Sequence, residues 1–207
     1  MDDLAEILAN GCTELGLEVA YNDSDRLLRY LGLIARWNRK HNLTALSSAT
    51  EMVVKHLLDS LSVAAHLPNG TVLDIGSGAG LPGIPLAIAR PQQSFTLLDA
   101  SFKRVAFLRE AKRELGLANI EPVHSRAESY QQPPFAVITC RAFSSLANLV
   151  SCSEHLLTQQ GCWLAMKGQL PSEEIDALPV TVQVASVAPL IVPGLNAQRH
   201  LVKIVRA

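Results

Sequence analysis

The chain has 207 residues, 48% hydrophobic and 18% charged, which is enough apolar material for a sizeable core in one α/β domain with an extension. A formal net charge of −1 excludes a global basic field as the means of holding a polyanion, so any nucleic-acid contact must come from local patches. The four cysteines form no C-x-x-C pair and have no metal-ligand spacing with the six histidines, so they read as small buried hydrophobes in a reducing compartment, and no metal is expected. The acidic start (Asp2, Asp3) lacks a signal-peptide pattern and no apolar run reaches spanning length. A cytoplasmic protein without a membrane partner is therefore expected.

Residues 1–67 read as a helical cap. Leu4, Ile7, Leu8 and Leu15 make one apolar stripe. A second helix is expected from Asp23 to Lys40, with Leu27, Leu28, Leu31, Ile34 and Ala35 at helical spacing. A polar break follows at Asn42–Thr44. A third helix runs from Thr50 to Leu67, with His56 and Asp59 on one face at i, i+3. Arg26, Arg29, Arg36, Arg39, Lys40 and Lys55 face the single acid Glu51 in the stretch from Arg26 to His56, a local basic patch suited to phosphates. Pro68-Asn69-Gly70 is a turn that divides the cap (1–67) from a sheet domain (68–207).

The sheet domain opens with the most informative stretch, Thr71 to Gly83. Val72, Leu73 and Ile75 read as a buried strand, interrupted by Asp74. Gly76, Gly78, Gly80 and Gly83 follow, then an apolar helix with Pro82 and Pro85 in its first turn. Gly78 to Gly83 formally fits the dinucleotide fingerprint G-x-G-x-x-G. In that fingerprint the first glycine follows the strand directly, whereas here Gly76 and Ser77 intervene and Asp74 sits at the strand end. A carboxylate there suits a ligand carrying a cation. The pattern acid-x-Gly-x-Gly-x-Gly resembles motif I of the class I S-adenosylmethionine-dependent methyltransferases. The next strand, Phe95 to Asp99, ends on an acid able to accept both hydroxyls of a ribose. Ser101 is the candidate cap of a helix over Lys103–Leu115.

Strands and helices then alternate, which predicts a mostly parallel sheet covered on both faces. Further strands are expected at Ile120–His124, Phe135–Cys140 and Gly161–Met166, with helices at Ser145–Leu157 and Pro171–Leu178. Val180–Val187 and His200–Val205 read as an antiparallel terminal hairpin. In such sheets ligands bind beyond the carboxyl ends of the strands. That rule selects Asp74 to Gly80, Asp99, Ala127-Glu128, Arg141 and Lys167.

The chemistry narrows next. Pro133-Pro134-Phe135 precedes its strand, so it does not serve exocyclic amine methylation, and no Pro-Cys motif frames Cys140 for carbon-5 attack. What remains is Arg141-Ala142-Phe143 with Lys167. A ring nitrogen such as guanine N7 has an available lone pair and needs no general base. Arg141 and Lys167 suit contacts to guanine O6 or to flanking phosphates.

The segments WNRKHNLTAL (Trp37–Leu46), VKHLLDSL (Val54–Leu61), LDIGSGAGLPGIPLAI (Leu73–Ile88), LLDASFKRVAFL (Leu97–Leu108), CRAF (Cys140–Phe143) and the terminal QRHLV (Gln198–Val202) resemble the RsmG family, also called GidB. The resemblance spans essentially the whole chain. It implies a class I, Rossmann-like methyltransferase with a mostly parallel seven-stranded sheet and an N-terminal helical cap. It also implies transfer of a methyl group from S-adenosyl-L-methionine to N7 of one guanine of 16S ribosomal RNA in the bacterial cytoplasm, with the RNA or the small ribosomal subunit as partner and no obligate protein partner. Carried over by motif, Gly76 and Leu81 line the donor's methionine side, and Asp74, Gly78 and Gly80 are expected to bind the cofactor with them. Asp99 holds the ribose, Ala127 and Glu128 hold the adenine, and Arg141 closes the site. Arg141 and Lys167 are the expected catalytic residues. Asn42, Lys55, His56 and Lys167 are expected on the RNA side. Three rival readings stand beside this one: a small-molecule methyltransferase, an RNA-binding assembly module without turnover, and a nicotinamide oxidoreductase.

Overall fold

The computed structural model of the protein describes residues 2–18 and 20–207; Met1 and Val19, both within the expected helical cap, lie outside the described residues. Seven strands form one sheet in the order β3-β2-β1-β4-β5-β7-β6, where β1 is Val72–Ile75, β2 Phe95–Asp99, β3 Ile120–His124, β4 Phe135–Arg141, β5 Leu157–Lys167, β6 Val182–Pro189 and β7 His200–Arg206. The first five pair in parallel. β7 slots between β5 and β6 and runs antiparallel to both.

Side chains alternate across this sheet, as the pleat requires. Val72, Val137 and Leu164 join one core, and Leu73, Ile138 and Trp163 join the core on the opposite face. The first core is continuous with the apolar faces of α1 (Asp2–Glu14), α2 (Tyr21–His41), α5 (Gly83–Ala89) and α6 (Phe102–Leu115) through Leu8, Ile34, Ile84 and Phe107. The second is closed by α7 (Leu146–Ser153), where the buried Trp163 indole donates to Ser153 Oγ at 2.9 Å. The helical cap is thus a layer laid over one sheet face. Trp37 packs edge-on against Phe107 with ring centres 5.5 Å apart, and Tyr30 donates from its buried hydroxyl to the Ala79 carbonyl in the glycine loop.

The third expected helix departs from regularity. It opens as α3 (Ala49–Met52), becomes a π-helical turn over Val53–Leu58, resumes as α4 (Asp59–Leu61) and ends there, with a separate 3₁₀ turn at Ala64–His66. The Asp59 N–H reaches back five residues to the Val54 carbonyl. Such π turns concentrate at functional sites because they re-aim side chains that a regular helix would hold elsewhere. The basic stretch of the cap is also less free than its composition implies. Arg26 pairs with Asp23, Arg29 with Asp25, Arg36 with Glu114 and Lys55 with Glu51. Asp23 and Asp25 lie before the stretch, Glu51 within it and Glu114 on α6, and the exposed Arg39 and Lys40 at the end of α2 are the cations of that run left without an acidic partner among the described residues.

Candidate active site

The loop after β1 is preformed by its own hydrogen bonds. Asp74, fully buried at the strand end, accepts the Gly83 N–H on Oδ2 at 3.0 Å, while Ser77 Oγ donates to the Asp74 carbonyl at 2.8 Å. A Cβ on Gly83 would lie 2.3 Å from Leu97 Cδ2 and 2.7 Å from Asp74 Oδ2, so glycine is required where α5 meets the strand. Asp99, at the end of β2, accepts the Gly78 N–H on Oδ2 at 2.9 Å and the Ser101 N–H on Oδ1 at 2.8 Å. Ser101 does occupy the N-cap of α6, but its side chain makes no capping bond, and the Asp99 carboxylate satisfies that end of the helix instead. Gly78 has φ +60°, which L side chains adopt only with strain.

Two cavities open at this edge of the sheet, and Gly76 lines both. The first, about 160 Å³, is bounded by Leu98, Asp99, Ala127, Glu128, Phe143 and Cys152 among others. The second, about 220 Å³, is bounded by Thr44, His56, Gly78, Leu81, Arg104 and Arg141 among others. The first chamber is therefore largely apolar, with Asp99, Arg126 and Glu128 as its charged lining, and the second is rimmed by Arg104 and Arg141 with no carboxylate.

Arg141 is held by two groups of the cap. Its Nη1 donates to the Lys55 carbonyl at 2.9 Å and to Asp59 Oδ2 at 3.1 Å. Asp59 is itself buried and accepts Arg199 Nε on Oδ1 at 2.8 Å. His56 lies between these groups. Its Nδ1 faces the Lys55 carbonyl at 3.2 Å, which can only accept, and its Nε2 meets Thr44 Oγ at 2.9 Å. Burial and the neighbouring Arg141 guanidinium push the His56 pKa down to about 4, so the ring is neutral at pH 7 and carries its proton on Nδ1. Burial pushes the Asp74 carboxyl up to about 7 against the Gly83 bond that favours its charge, and its Oδ1 has no partner. Burial likewise raises the Cys140 thiol, which makes it a poor nucleophile.

Of the residues expected on the donor side, Gly76, Gly78, Leu81, Asp99, Ala127, Glu128 and Arg141 line the two chambers. Asp74 and Gly80 line neither. Asp74 lies beneath the loop, and a Cβ on Gly80 would meet Ile84 Cδ1 at 2.5 Å, so that glycine serves the packing of α5. Of those expected on the RNA side, His56 lines the second chamber. Asn42 is the left-handed C-cap of α2, at φ 49°. Lys55 pairs with Glu51, and Lys167 donates to both oxygens of Glu174 at 3.0 and 2.7 Å. Neither lysine nor Asn42 lines a chamber. Thr44, Arg104 and Phe143 line a chamber, and Arg199 braces it, without having been singled out as site residues. Their positions follow from tertiary packing, although Thr44 lies in the polar break, Arg104 opens α6 and Arg199 lies in the terminal QRHLV motif.

The donor set fits an adenosyl sulfonium ligand. Loop glycines leave the backbone open, Asp99 keeps a free lone pair on Oδ1 for a ribose hydroxyl while its Oδ2 already receives Gly78 and, at 3.5 Å, Arg104, and the Asp74 Oδ1 buried beneath the loop leaves an acceptor unspent next to the site. Among the described residues no group of three or more His, Cys, Asp or Glu converges to hold a metal ion, and no helix is long and apolar enough to cross a membrane.

Comparison with known proteins agrees with this geometry. The fold resembles the glycopeptide N-methyltransferase MtfA complexed with S-adenosyl-L-methionine (TM-score 0.64, 12% identity, 73% of this chain and 95% of that one) and the mitomycin 7-O-methyltransferase MmcR (TM-score 0.63, 16% identity, 86% and 60%). The sheet order and these likenesses make the fold that of a class I methyltransferase. The ribosomal RNA small subunit methyltransferase G of Methylobacillus flagellatus is 50% identical over 196 residues, covering 94% of this chain and 95% of its own. The protein of the same name from Nitrosococcus oceani is 48% identical over 206 residues, covering 99% and 96%. The family model GidB, rRNA small subunit methyltransferase G, matches residues 23–202. With that match and those identities across nearly its full length, the chain belongs to the GidB family of rRNA small subunit methyltransferases.

Proposed function

We propose that the protein transfers the methyl group of S-adenosyl-L-methionine to N7 of one guanine in bacterial 16S ribosomal RNA. The observation that carries this reading is the pair of chambers meeting at Gly76, one bounded by Asp99, Ala127 and Glu128, the other by His56, Arg104 and Arg141. In this reading Asp99 takes the ribose hydroxyls, Glu128 accepts from the adenine amine, and the Ala127 backbone lies against the ring. Gly76, Gly78 and Leu81 form the wall on the methionine side, with Asp74 and Gly80 shaping the loop beneath. The bound donor supplies a methyl group already activated on a sulfonium. The protein's task is then positioning.

Guanine N7 offers its lone pair directly, so no group need remove a proton. That suits a chamber whose histidine is neutral and already committed to Thr44 and the Lys55 carbonyl. Arg141 is suited to donate to guanine O6, which sits beside N7 on the Hoogsteen edge. The exposed Arg39 and Lys40, with Asn42 after them and Leu43 and Thr44 at the chamber rim, offer a route for the RNA backbone. Lys55 and Lys167 join this route only by exchanging Glu51 and Glu174 for phosphate. The substrate is the small-subunit RNA or its particle, the setting is the bacterial cytoplasm, no obligate protein partner is required, and residues 1–67 act as a cap on the methyltransferase domain of 68–207. Incubation with methyl-labelled donor and small-subunit RNA lacking its modifications tests the reading. Label in that RNA and not in transfer RNA or protein supports it, and donor binding without label in the RNA contradicts it.

A further inference from the structure

The Asp59 carboxylate joins three segments far apart in sequence. It receives Arg141, 82 residues away at the end of β4, and Arg199, 140 residues away at the foot of β7. Arg199 reaches it because the loop between β6 and β7 folds back over the π turn. Leu190 and Val192 of that loop are buried, the Leu190 N–H donates to the Arg199 carbonyl at 2.8 Å, and a Cβ on Gly194 would lie 3.2 Å from Val54 Cγ2. His200 then pairs with Lys167, which fixes the hairpin at the carboxyl end of β5.

A buried ion pair is a poor device for stability, since desolvation cancels much of the Coulomb gain. Its strength is directional. With one oxygen held by Arg199, the Asp59 carboxylate cannot rotate freely, and its other oxygen faces Arg141 in one place. The Lys55 carbonyl, presented by the π turn, fixes the same Nη1 from a second direction. Arg141 is the one member of this group that lines the arginine-rimmed chamber.

We propose that Asp59 and Arg199 are positioning residues for the methyl-transfer step, acting through Arg141, and that the terminal hairpin exists in part to deliver Arg199. This rests on the activity proposed above. Neither residue touches the substrate. A site residue held by such a supporting shell loses activity steeply when it drifts, by as much as about 100-fold for a displacement near 1 Å.

The test uses the full chain with Arg199→Ala, Arg199→Lys and Asp59→Asn, each made in the wild type and in Arg141→Ala. Arg199→Ala is expected to lower kcat by roughly 10- to 100-fold, with donor affinity and the KM for RNA little changed. Arg199→Lys is expected to restore part of the loss, because it returns the charge without the planar fork. In the Arg141→Ala background the same substitutions are expected to cost nothing further in kcat, while Arg199→Ala lowers Tm by more than in the wild type, because the buried Asp59 carboxylate then loses both its cations. Arginine side-chain resonances supply a readout independent of turnover: Arg141 is expected to shift and exchange faster in Arg199→Ala. Unchanged kcat with a lowered Tm, or an equal fall in kcat in both backgrounds, overturns the proposal and leaves a structural staple. A wild-type protein that labels no guanine overturns the activity reading instead, and an Arg141 resonance unmoved by Arg199→Ala then overturns the positioning role by itself.

Discussion

Arg141 Nη1 lies 3.1 Å from Asp59 Oδ2, so the end of β4 and the start of α4 are tied directly beside the arginine-rimmed chamber. Because Asp59 also keeps Arg199, losing Arg141 does not strand a bare buried charge. Arg141→Ala is therefore expected to fold, with a stability loss of about 1–3 kcal/mol from the charged hydrogen bonds removed. Activity should fall by roughly 100-fold or more, as expected for removal of a preorganised donor. Urea unfolding and single-turnover methylation measure the two losses separately, and wild-type turnover in this variant would take Arg141 out of the site.

Asp99 both shapes the loop and faces the first chamber. Its oxygens hold the Gly78 and Ser101 N–H groups. Asp99→Asn keeps one acceptor and places an amide where one of those N–H groups needs an oxygen. Donor affinity is expected to fall by about 5- to 150-fold, the equivalent of roughly 1–3 kcal/mol for a polar group left unpaired. Calorimetric titration with S-adenosylhomocysteine measures it, and wild-type affinity would refute the assignment of this chamber to the ribose.

Two loop glycines should behave differently. Gly83→Ala forces a Cβ against Leu97 and Asp74 Oδ2, and is expected to cost about 1–3 kcal/mol or more of stability through overpacking. Gly78→Ala meets only an ordinary van der Waals contact, the Gly76 carbonyl at 3.8 Å, but must hold φ +60°. Its expected cost is about 1–2 kcal/mol, together with a loss of donor affinity, because Gly78 lines the second chamber. Equal effects of the two substitutions on donor affinity would contradict this division.

Stability should respond to pH through two opposed groups. The Asp74 carboxyl, ordinarily near 3.8, is held at about 7 by burial. Its contribution is complete below about 4 and is lost as pH rises to 7. His56, ordinarily near 6.5, is held at about 4. Its contribution is complete above 6.5 and is lost as pH falls to about 4. Relative to the wild type, Asp74→Asn should gain stability as pH rises from about 4 to 7, and His56→Gln should lose it as pH rises from about 4 to 6.5. Urea midpoints across that range measure both, and profiles parallel to the wild type would contradict them.

The sheet and the glycine loop were legible because their signals are local. Alternating apolar strands, four glycines and acids at strand ends specify β1, β2 and the turn between β1 and α5 without tertiary knowledge. The rule that ligands gather at carboxyl ends of strands selected Asp99, Ala127, Glu128 and Arg141, all of which line a chamber. Other features depend on distant partners. No residue pattern announces the π turn at Val53–Leu58, because its five-residue bond reflects how Lys55, His56 and Asp59 meet β4 and the hairpin. The pairing of His56 and Asp59 on one face was readable, but their separate partners, Thr44 for one and two arginines for the other, were not. Lys167 ends β5 as its sequence position requires, yet Glu174 from α8 (Ser172–Asp176) occupies its ammonium, a contact that composition does not reveal.

The most direct measurement of the central claim maps the methyl group. Small-subunit RNA lacking its modifications is methylated with labelled donor and then subjected to alkaline scission specific for N7-methylguanine. The account predicts label at one guanine, scission of the strand there, and neither in RNA treated with Arg141→Ala. Label that resists N7-specific scission, or that falls on a base other than guanine, would contradict it.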